Sequence, residues 1–400
     1  MKNKQVIELT HKYVMNTYSR LPVALVRGKG SYVWDADGKK YLDFFSGLAV
    51  DNLGHSHPKV VRAIQRQAGR LLHVSNVFYI DHQAALARLL VRKSFADKVF
   101  FCNSGAEANE GAVKLARRFA RKVLGQDRYE VITMKNSFHG RTLAMITATG
   151  QAKYQEGFGP LPEGFHYAAF GDLASVEALM NDRTCAVLVE PIQGEGGVRL
   201  ASTEFFQGLR RLCDERQVLL ICDEVQVGMG RTGKLLAHEH FGIKPDIATM
   251  AKALAGGLPI GAILATDRVA AAFSPGDHAA TFGGNPFVTF VAGEVVKACY
   301  QERLFANAIS MGRYLMRRLE GLRKKFNWIT EVRGLGLIVA LDLTLPARPI
   351  VLQGLEQGIL LNAVQEKTLR LLPPLTVTKK EIDEALLRME RTFERVNGVQ

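Results

Sequence analysis

The stretch that decides the fold is LLICDEVQVGMGRTG, residues 219–233, followed closely by DIATMAKALAGG, residues 246–257. Each stretch contains a short apolar run of the kind that forms a strand buried on both faces of a sheet. Asp223 directly follows the first run, and Lys252 follows the second in the same manner. Because ligands bind at the carboxyl ends of strands in open parallel sheets, both side chains are predicted to stand at a binding site.

Apolar runs alternate with amphipathic helices from about residue 58 to residue 265, which predicts an α/β fold with a mostly parallel sheet covered by helices. The predicted strands are VFF (99–101), VITM (131–134), AVLVE (186–190), VLLICDE (218–224) and DIATM (246–250). Two helices are predicted from helical spacing of apolar residues. Their expected buried faces are Val60, Val61, Ile64, Ala68, Leu71 and Leu72, and Ala112, Leu115, Ala116, Phe119, Ala120 and Val123.

The C-terminal hundred residues mix helical and strand-like stretches and predict a smaller α+β domain. Its last helix is expected to begin at a capping box formed by Thr378 and Glu381. The apolar face of that helix is predicted to consist of Ile382, Ala385, Leu386, Met389, Phe393 and Val396. The N-terminal stretch SYVWDADGKKYLDFF (31–45) contains a DADG turn and is expected to pack with this domain. We therefore expect an N-terminal segment at 1–58, a large domain at 59–287 and a small domain at 288–400.

Composition narrows the class of protein. The 400 residues are 47% hydrophobic and 23% charged, which is typical of a globular enzyme. No apolar run approaches the roughly 18 residues that span a bilayer, and the N-terminus does not resemble an export signal. The five cysteines are scattered without CxxC spacing, which argues against disulfides and a structural zinc site. We therefore expect a cytoplasmic protein with no membrane segment and no metal.

The net charge of +13 has two interpretations. Basic residues are spread over predicted helices without a basic tail or a nucleic-acid motif, so a solvated basic surface is the first interpretation. Attraction of anionic metabolites or of an acidic partner is the second. Nucleic acid is not expected to bind.

Asp223 and Lys252 together suit one cofactor. A carboxylate at a strand end can be a metal ligand, a general base or the counter-ion of a buried cation. Burial lowers the pKa of a lysine and makes its amine a better nucleophile toward an aldehyde. Pyridoxal phosphate (PLP) requires both groups, since its aldehyde binds a lysine and its ring nitrogen needs a carboxylate to stay protonated. The alternative is that Asp223 caps a loop and Lys252 is a surface residue.

Two further stretches bear on this site. In FFCNSGAEANEGAVKLARR (100–118), Ser104, Gly105 and Ala106 lie between a strand and a helix, where backbone N–H groups suit a phosphate. Ser104 can instead be a simple helix cap. In NSFHGRT (136–142), Phe138 can lie flat on a cofactor ring and Arg141 can hold a substrate carboxylate with two hydrogen bonds. Phe138 can equally be an ordinary core residue.

These stretches resemble the class III aminotransferases of fold type I, in particular the acetylornithine and ornithine aminotransferase group. The resemblance extends over nearly the whole chain and in the same order. It includes LPVALVRGKGSYVWDADGKKYLDF (21–44), GHSHP (54–58), HVSNVFY (73–79), NSGAEANE (103–110), SFHGRT (137–142), VEPIQGEGGV (189–198), ICDEVQVGMGRTG (221–233), KPDIATMAKALAGGLPIGA (244–262), TFGGNP (281–286), RGLGL (333–337) and LRLLPPL (369–375). It implies a seven-stranded, mostly parallel sheet in the large domain.

The resemblance implies a set of residues that hold PLP. Lys252 would form a Schiff base with the aldehyde and then move a proton between substrate and cofactor. Asp223 would pair with the ring nitrogen, and Glu190 would support the hydrogen bonds that face the ring. The other cofactor contacts would be Ser104, Gly105, Ala106, Phe138, Glu224, Val225, Gln226 and Thr281.

The resemblance also implies a homodimer, because Thr281 would complete the phosphate site of the neighbouring subunit. Arg141 would bind a carboxylate of the amino donor. Glu195 and Arg370 would form a switch: paired while the donor binds, and unpaired when Arg370 receives a carboxylate of glutamate or 2-oxoglutarate. An ordinary surface ion pair is the alternative for these two residues. Ala106 and Ala280 depart from the threonine and serine that are common in relatives, which weakens contacts to the phosphate and to the substrate.

Substrate choice depends on a few residues. Tyr18 matches a pocket residue of the group, and Leu48 stands where ornithine aminotransferases tend to carry a tyrosine. An aliphatic side chain at Leu48 favours an acylated amine, so the expected substrate is N2-acetylornithine with 2-oxoglutarate as acceptor, a reaction of arginine biosynthesis. The alternatives are ornithine, succinylornithine, succinyl-diaminopimelate, 4-aminobutyrate and a carrier-bound aminoadipate derivative. A different class of function would be a non-catalytic PLP-binding scaffold.

Overall fold

The computed structural model describes residues 1–397, and the chain divides into two units. One unit is Lys59–Phe305, and the other combines Met1–Pro58 with the chain from Ala306 onward. The boundary expected at residue 288 lies instead inside the helix Pro286–Gln301. This helix belongs to the Lys59–Phe305 unit. The last three residues of the expected 288–400 domain lie outside the described part of the chain.

Helices and strands are numbered in chain order over the described residues. The helices are α1 (Asn3–Tyr13), α2 (Ser46–Ala49), α3 (Pro58–Ala68), α4 (Asp81–Lys93), α5 (Gly105–Lys122), α6 (Leu143–Ala148), α7 (Leu173–Leu179), α8 (Thr203–Glu215), α9 (Asp267–Ala270), α10 (Pro286–Gln301), α11 (Leu304–Lys325), α12 (Ala347–Glu356) and α13 (Lys379–Asn397). Short 3-10 helices lie at Ala152–Tyr154, Ala237–Phe241 and Lys252–Ala255. The strands are β1 (Leu25–Lys29), β2 (Tyr32–Asp35), β3 (Lys40–Asp43), β4 (Lys98–Cys102), β5 (Glu130–Met134), β6 (Phe165–Ala168), β7 (Thr184–Val189), β8 (Ile192–Gln193), β9 (Arg199–Leu200), β10 (Leu219–Asp223), β11 (Ile247–Met250), β12 (Gly261–Ala265), β13 (Ile329–Leu335), β14 (Ile338–Leu343), β15 (Ile359–Leu360), β16 (Asn362–Val364) and β17 (Thr368–Leu371).

The Lys59–Phe305 unit is built on a seven-stranded sheet in the order β4-β12-β11-β10-β7-β5-β6. The five strands predicted from apolar runs are all present, as β4, β5, β7, β10 and β11. Neighbouring strands are parallel except β12, which is antiparallel to both β11 and β4. The prediction of a mostly parallel sheet is therefore confirmed.

Helix α5 packs its apolar face on this sheet. Ala112, Leu115, Ala116, Phe119 and Ala120 are buried, as the helical spacing predicted. Val123 is exposed, because α5 ends at Lys122 and Val123 lies beyond its last turn.

The face predicted for the first amphipathic helix is wrong at its end. Helix α3 ends at Ala68, so Leu71 and Leu72 follow the helix and are exposed.

The unit that joins the two chain ends contains two four-stranded sheets, β1-β2-β3-β15 and β13-β14-β17-β16. The DADG turn joins the antiparallel strands β2 and β3, with Gly38 at a φ of 92° that favours glycine. The capping box of α13 is present: Thr378 N donates to Glu381 Oε2 at 2.8 Å, and Glu381 N donates to Thr378 Oγ1 at 3.2 Å. The predicted apolar face of α13 is buried from Ile382 to Phe393, and Val396 is half-buried.

Among residues 1–397, each helix is too short or too polar to cross a membrane. All five cysteines are free thiols and are buried.

Candidate active site

The sheet brings Asp223 and Lys252 to one edge. Asp223 is the last residue of β10, which pairs in parallel with β11 so that Asp223 lies opposite Thr249. Lys252 lies two residues after the end of β11 and is the first residue of the 3-10 helix Lys252–Ala255. The two predicted residues therefore leave neighbouring parallel strands at their carboxyl ends, where ligands bind in this kind of sheet.

The carboxylate of Asp223 is buried in a hydrogen-bond network. Its Oδ2 lies 2.7 Å from both Asn109 Nδ2 and His139 Nδ1, and its Oδ1 accepts from Val225 N at 3.0 Å. Because an ionised carboxylate only accepts, His139 donates through Nδ1–H. Thr249 Oγ1 donates to Asn109 Oδ1 at 2.7 Å and fixes that amide in turn. The network holds Asp223 in one orientation and supplies hydrogen-bond donors to both of its carboxylate oxygens.

Sequence reasoning missed Asn109, His139 and Thr249. Asn109 and His139 are both buried, and His139 Nε2 has no hydrogen-bond partner within residues 1–397. A signal for Asn109 was present in the sequence. It lies three residues before Ala112 on the buried face of α5, where a polar side chain needs a buried partner.

Lys252 has a left-handed backbone. Its φ is 45°, a conformation that is costly for a residue with a Cβ atom. Strained residues of this kind cluster at functional sites, because the surrounding structure must hold them there. The positive charge of Lys252 also acts on Glu190, which places the two side chains in one electrostatic environment.

Glu190 follows β7 and accepts two backbone hydrogen bonds. Phe138 N donates to its Oε2 at 3.1 Å, and Gly194 N donates to its Oε1 at 3.3 Å. Burial, and then the negative charge of Asp223, raise the pKa of the Glu190 carboxyl well above its usual range, although both amides and Lys252 oppose the shift. Glu190 thus connects the Phe138 segment to the strand ends of Asp223 and Lys252.

Gln226 and Glu195 are in contact. Gln226 Nε2 donates to Glu195 Oε1 at 3.3 Å. Gly194 leaves the room for this contact, since a Cβ atom there would lie 1.7 Å from Gln226 Oε1. The segment GEGG is therefore glycine-rich for steric reasons at the site itself.

The start of α5 has the form of a phosphate site. Ser104 is the N-cap, with its hydroxyl accepting from Glu107 N at 3.2 Å, and its contact with a phosphate stays a prediction. The first N–H groups of a helix have no partner inside the helix, which leaves those of Gly105 and Ala106 to face a ligand. A Cβ atom on Gly105 would lie 2.6 Å from Val225 Cγ1, so this position requires glycine.

Phe138 and Arg141 both contact Tyr154, an aromatic side chain that sequence reasoning missed. The rings of Phe138 and Tyr154 are perpendicular, with centroids 5.6 Å apart. The Arg141 guanidinium lies 4.2 Å from the Tyr154 ring centroid and 5.6 Å from that of Phe138. Arg141 itself is exposed, so its charged end is accessible while the two rings restrict its position.

Glu224 does not join this group. Its carboxylate accepts from Ala237 N at 2.7 Å and His238 N at 2.8 Å, and it contacts His238 Nδ1 at 3.0 Å. The side chain therefore binds the 3-10 helix Ala237–Phe241, and the contact of Glu224 with the cofactor stays a prediction. Its backbone N–H donates to Thr249 O, which aligns β10 with β11.

Ala280 and Thr281 lie in an exposed loop after α9. Asn76 Nδ2 donates to the carbonyl oxygens of Ala280 at 3.1 Å and Gly283 at 2.9 Å. This links the loop to the HVSNVFY segment. Thr281 is exposed, as a residue that serves a neighbouring subunit would be.

The remaining predicted residues lie in the other unit. Tyr18 is 71% exposed and lines a cavity of about 1000 Å³. Arg370, on β17, is fully buried. Leu48 lies in α2, where the residues from Ser46 to Ala49 all have φ between 47° and 67°, so α2 is a left-handed turn.

The residues of the sheet edge fit PLP. A buried, fully hydrogen-bonded carboxylate can hold a protonated ring nitrogen, a lysine amine can bind an aldehyde, and a helix N-terminus with an obligatory glycine can accept a phosphate. Within residues 1–397, no group of His, Cys, Asp and Glu side chains forms a metal site. The fold and the site define a PLP-dependent transferase of fold type I.

Comparison with known proteins identifies the family. The profile of the Aminotransferase class-III family matches residues 13–393. The chain belongs to the class III aminotransferases and is a PLP-dependent enzyme.

Relatives and solved structures agree with this assignment. The chain is 48% identical to a protein named acetylornithine aminotransferase from Methanocaldococcus jannaschii, over 99% of this chain and 100% of that protein. The ornithine aminotransferase of Toxoplasma gondii superposes with a TM-score of 0.96 at 34% identity, covering 100% of this chain and 97% of that one. The acetylornithine aminotransferase of Elizabethkingia anophelis superposes with a TM-score of 0.89 at 35% identity, covering 99% and 100%.

Proposed function

We propose that this enzyme transfers the terminal amino group of N2-acetylornithine to 2-oxoglutarate, giving N-acetylglutamate 5-semialdehyde and glutamate. The observation that carries the proposal is similarity over nearly the whole chain to proteins named acetylornithine aminotransferase, including one that is 50% identical over 95% of this chain. The reaction is a step of arginine biosynthesis.

The chemistry follows from the sheet edge. When bound, PLP supplies an aldehyde that takes the amino group and a ring that accepts the negative charge formed at the substrate carbon. Lys252 Nζ would hold the aldehyde and would carry a proton to and from the substrate carbon. Asp223 would pair with the ring nitrogen, and Asn109, His139 and the Val225 amide hold its carboxylate in position by hydrogen bonds.

Other residues hold and orient the cofactor. Ser104, Gly105 and Ala106 would hold the phosphate at the start of α5, where the helix dipole favours negative charge. Phe138 would stack on the ring, and the Glu190 carboxyl fixes the Phe138 backbone N–H. Gln226 would contact the phenolic oxygen, and Val225 lies close to Gly105.

Two arginines receive substrate carboxylates in the proposal. Arg141 binds the α-carboxylate of the amino donor, with its position restricted by Phe138 and Tyr154. Arg370 binds a carboxylate of 2-oxoglutarate or glutamate, and Glu195 neutralises Arg370 while the donor is bound. The hydrogen bond from Gln226 would hold Glu195 in place for that exchange.

The proposal also specifies which amine the enzyme prefers, namely one that carries an acyl group. Leu48 offers no hydrogen bond or charge to a free α-amine, so an acylated amine binds there without an unpaired charge. The test is to measure kcat/KM with 2-oxoglutarate for acetylornithine, succinylornithine, ornithine, succinyl-diaminopimelate, 4-aminobutyrate and the carrier-bound aminoadipate derivative in parallel. Acetylornithine should rank first, and a higher value for any other amine would contradict the proposed substrate.

Ornithine is a second candidate, because several similar structures are named ornithine aminotransferase and one superposes with a TM-score of 0.96. The variant Leu48→Tyr separates the two. If Leu48 selects the acylated amine, the variant should gain kcat/KM for ornithine and lose it for acetylornithine. No change in the ratio would remove Leu48 from substrate choice.

We further propose that two copies form a homodimer with shared active sites. Exposed apolar residues form a strip, which we call the apolar strip: Leu71, Leu72, Val77, Phe78, Tyr79 and Phe282. His73 packs on Phe282 with ring centroids 5.1 Å apart, so the two parts of the strip are continuous. Contiguous exposed apolar surface of this kind marks an interface. Thr281 lies directly beside Phe282, which would bring it to the phosphate site of the second copy.

The location is also part of the proposal. Five buried free thiols suit a reducing compartment, so we propose that the enzyme works in the cytoplasm.

A further inference from the structure

Arg370 is held by a residue that the sequence motifs did not include. Asn362, on β16, lies directly opposite Arg370 on the antiparallel strand β17. Its Oδ1 accepts from Arg370 Nη2 at 2.8 Å and from Arg370 Nε at 3.0 Å. A guanidinium only donates hydrogen bonds, so the Asn362 amide must turn its oxygen toward Arg370. This single oxygen accepts from two N–H groups on one edge of the guanidinium.

The choice of a neutral acceptor matters because Arg370 is fully buried. A buried charge needs partners, and a carboxylate at position 362 would supply them by cancelling the charge. The Asn362 amide instead fixes the plane of the guanidinium through two of its five N–H donors and adds no negative charge of its own. An arginine that is oriented by a neutral acceptor can form a charge-assisted pair with the carboxylate of a ligand.

Asn362 also lines the cavity that contains Tyr18. The cavity of about 1000 Å³ lies within one unit, and its lining includes Tyr18, Phe45, Arg348, Leu361, Asn362 and Ala363. Asn362 Nδ2 makes a long contact of 3.4 Å to Ala363 O, and its oxygen is turned to Arg370. Asn362 thus connects the wall of an open cavity to a buried cation.

We infer that Asn362 is a positioning residue for the half-reaction that uses 2-oxoglutarate, because it orients Arg370 without neutralising it. The inference rests on the proposed function, in which Arg370 binds a carboxylate of 2-oxoglutarate. It assigns to Asn362 a role in telling the dicarboxylate from the amino donor, since only the dicarboxylate places a carboxylate of its own on Arg370.

The test compares Asn362→Asp with Asn362→Ala. Asp has the shape of Asn but neutralises Arg370, whereas Ala removes the acceptor and leaves the charge. We expect Asn362→Asp to raise the KM for 2-oxoglutarate by about tenfold or more and Asn362→Ala to raise it by about threefold, since charge-assisted contacts are stronger than neutral ones. The KM for acetylornithine should stay within about twofold in both variants.

A merely structural role for Asn362 predicts the opposite order, because Asp preserves the packing and Ala does not. The inference is overturned if Asn362→Ala is more harmful than Asn362→Asp, or if both KM values rise equally. Gln353→Glu is the control, since it adds the same negative charge on α12 of the same unit and should leave the KM for 2-oxoglutarate unchanged.

Binding of glutarate to the holoenzyme provides a readout without turnover. Glutarate carries both carboxylates of 2-oxoglutarate and no keto group, so isothermal titration calorimetry reports carboxylate recognition alone. Its Kd should rise by about tenfold in Asn362→Asp, and an unchanged Kd would overturn the inference. A wild-type enzyme that transfers no amine to 2-oxoglutarate would overturn the proposed function instead, and the titration would still decide the role of Asn362.

Discussion

Lys252 combines a left-handed backbone with a partly buried amine, and both features support a covalent and proton-transferring role. The φ of 45° costs free energy that a residue of ordinary function would have no reason to retain. Lys252 lies two residues beyond the end of β11, and Asp223 ends the neighbouring strand β10. The backbone conformation of Lys252 and its side-chain amine therefore both support the proposed role.

Replacement of Lys252 by alanine should reduce the transamination rate by about a thousandfold or more, because both the amine that binds PLP and the proton carrier are lost. The rate of glutamate formation and the visible absorbance of the lysine-bound cofactor measure the two losses. Lys244→Ala, at an exposed position before β11, is the matched control and should retain both. Activity within tenfold of the wild type in Lys252→Ala would contradict the assigned role.

His55 lies in a cluster of charges that holds the left-handed turn α2. Its Nε2 is 2.7 Å from Asp43 Oδ2, and Asp43 Oδ1 accepts from the backbone N–H of Phe45 and Ser46 at the start of that turn. Burial acts to lower the pKa of His55, but the hydrogen bond to Asp43 and the charges of Asp43 and Asp51 outweigh it and raise the pKa. Protonated His55 therefore stabilises the folded chain near Leu48.

The stability that His55 adds should depend on pH in a defined direction. A pKa raised by folding gives stability that is fully present below the unfolded value of 6.5 and is lost as pH rises through the folded value. The Tm difference between wild type and His55→Gln should therefore be largest near about pH 6 and shrink toward about pH 9. His11→Gln, on exposed α1, should show no such trend, and a constant difference for His55→Gln would refute the prediction.

At the scale of elements, the start of α5 shows how a helix terminus becomes a binding site. Ser104 caps the helix, Gly105 admits Val225 at close range, and Asn109 one turn later reaches Asp223 at the end of β10. One helix therefore contacts the site at both its N-terminus and its buried face. Its orientation on the sheet fixes the distance between the phosphate position and the ring-nitrogen partner.

Gly105→Ala should weaken PLP binding while the fold is retained. The added Cβ atom would lie 2.6 Å from Val225 Cγ1, so the first turn of α5 must shift away from the phosphate position. The Kd for PLP, measured by fluorescence titration of the apoenzyme, should rise by about tenfold, or about 1.4 kcal/mol. Gly69→Ala, where a Cβ atom would meet no neighbour within 4 Å, is the control and should leave the Kd unchanged. An unchanged Kd in Gly105→Ala would refute the steric argument.

At the scale of the whole molecule, the apolar strip and the loop of Ala280 and Thr281 form one exposed surface through Asn76 and Gln83. Asn76 binds the carbonyl oxygens of Ala280 and Gly283, and Gln83 Nε2 donates to Gly284 O at 3.1 Å and to Asn76 Oδ1 at 2.9 Å. Leu71 and Leu72 belong to this surface and are exposed, although their apolar pattern resembled a buried helix face. The proposed dimer would explain the pattern, because a second copy would cover these residues.

Phe78→Asp should dissociate the proposed dimer, because a carboxylate buried in an apolar interface would lack a partner. Light scattering should give the mass of one chain, 44.2 kDa, for the variant and twice that for the wild type. Activity should fall with dissociation, since Thr281 of the second copy would leave the phosphate site. Leu387→Asp, on the exposed face of α13, should remain dimeric. A monomeric wild type with full activity would refute the shared site.

The sequence by itself determined the parallel sheet, the family and the ends of the strands that carry Asp223 and Lys252. These features are local: an apolar run forms a buried strand, the residue after it lies at the sheet edge, and the motifs lie on short stretches of chain. The capping box of Thr378 and Glu381 and the DADG turn were predictable for the same reason, since each is made by residues within four positions.

Only the tertiary structure decided which side chains meet. Asn109 and His139 contact Asp223 across 114 and 84 residues of chain, and Glu224 turns away from its neighbour Asp223 to bind residues 237 and 238. Asn362 reaches Arg370 because a register between two strands places them opposite each other. Hydrogen bonds of this kind depend on how separate elements pack, and a linear pattern does not contain the distances between them.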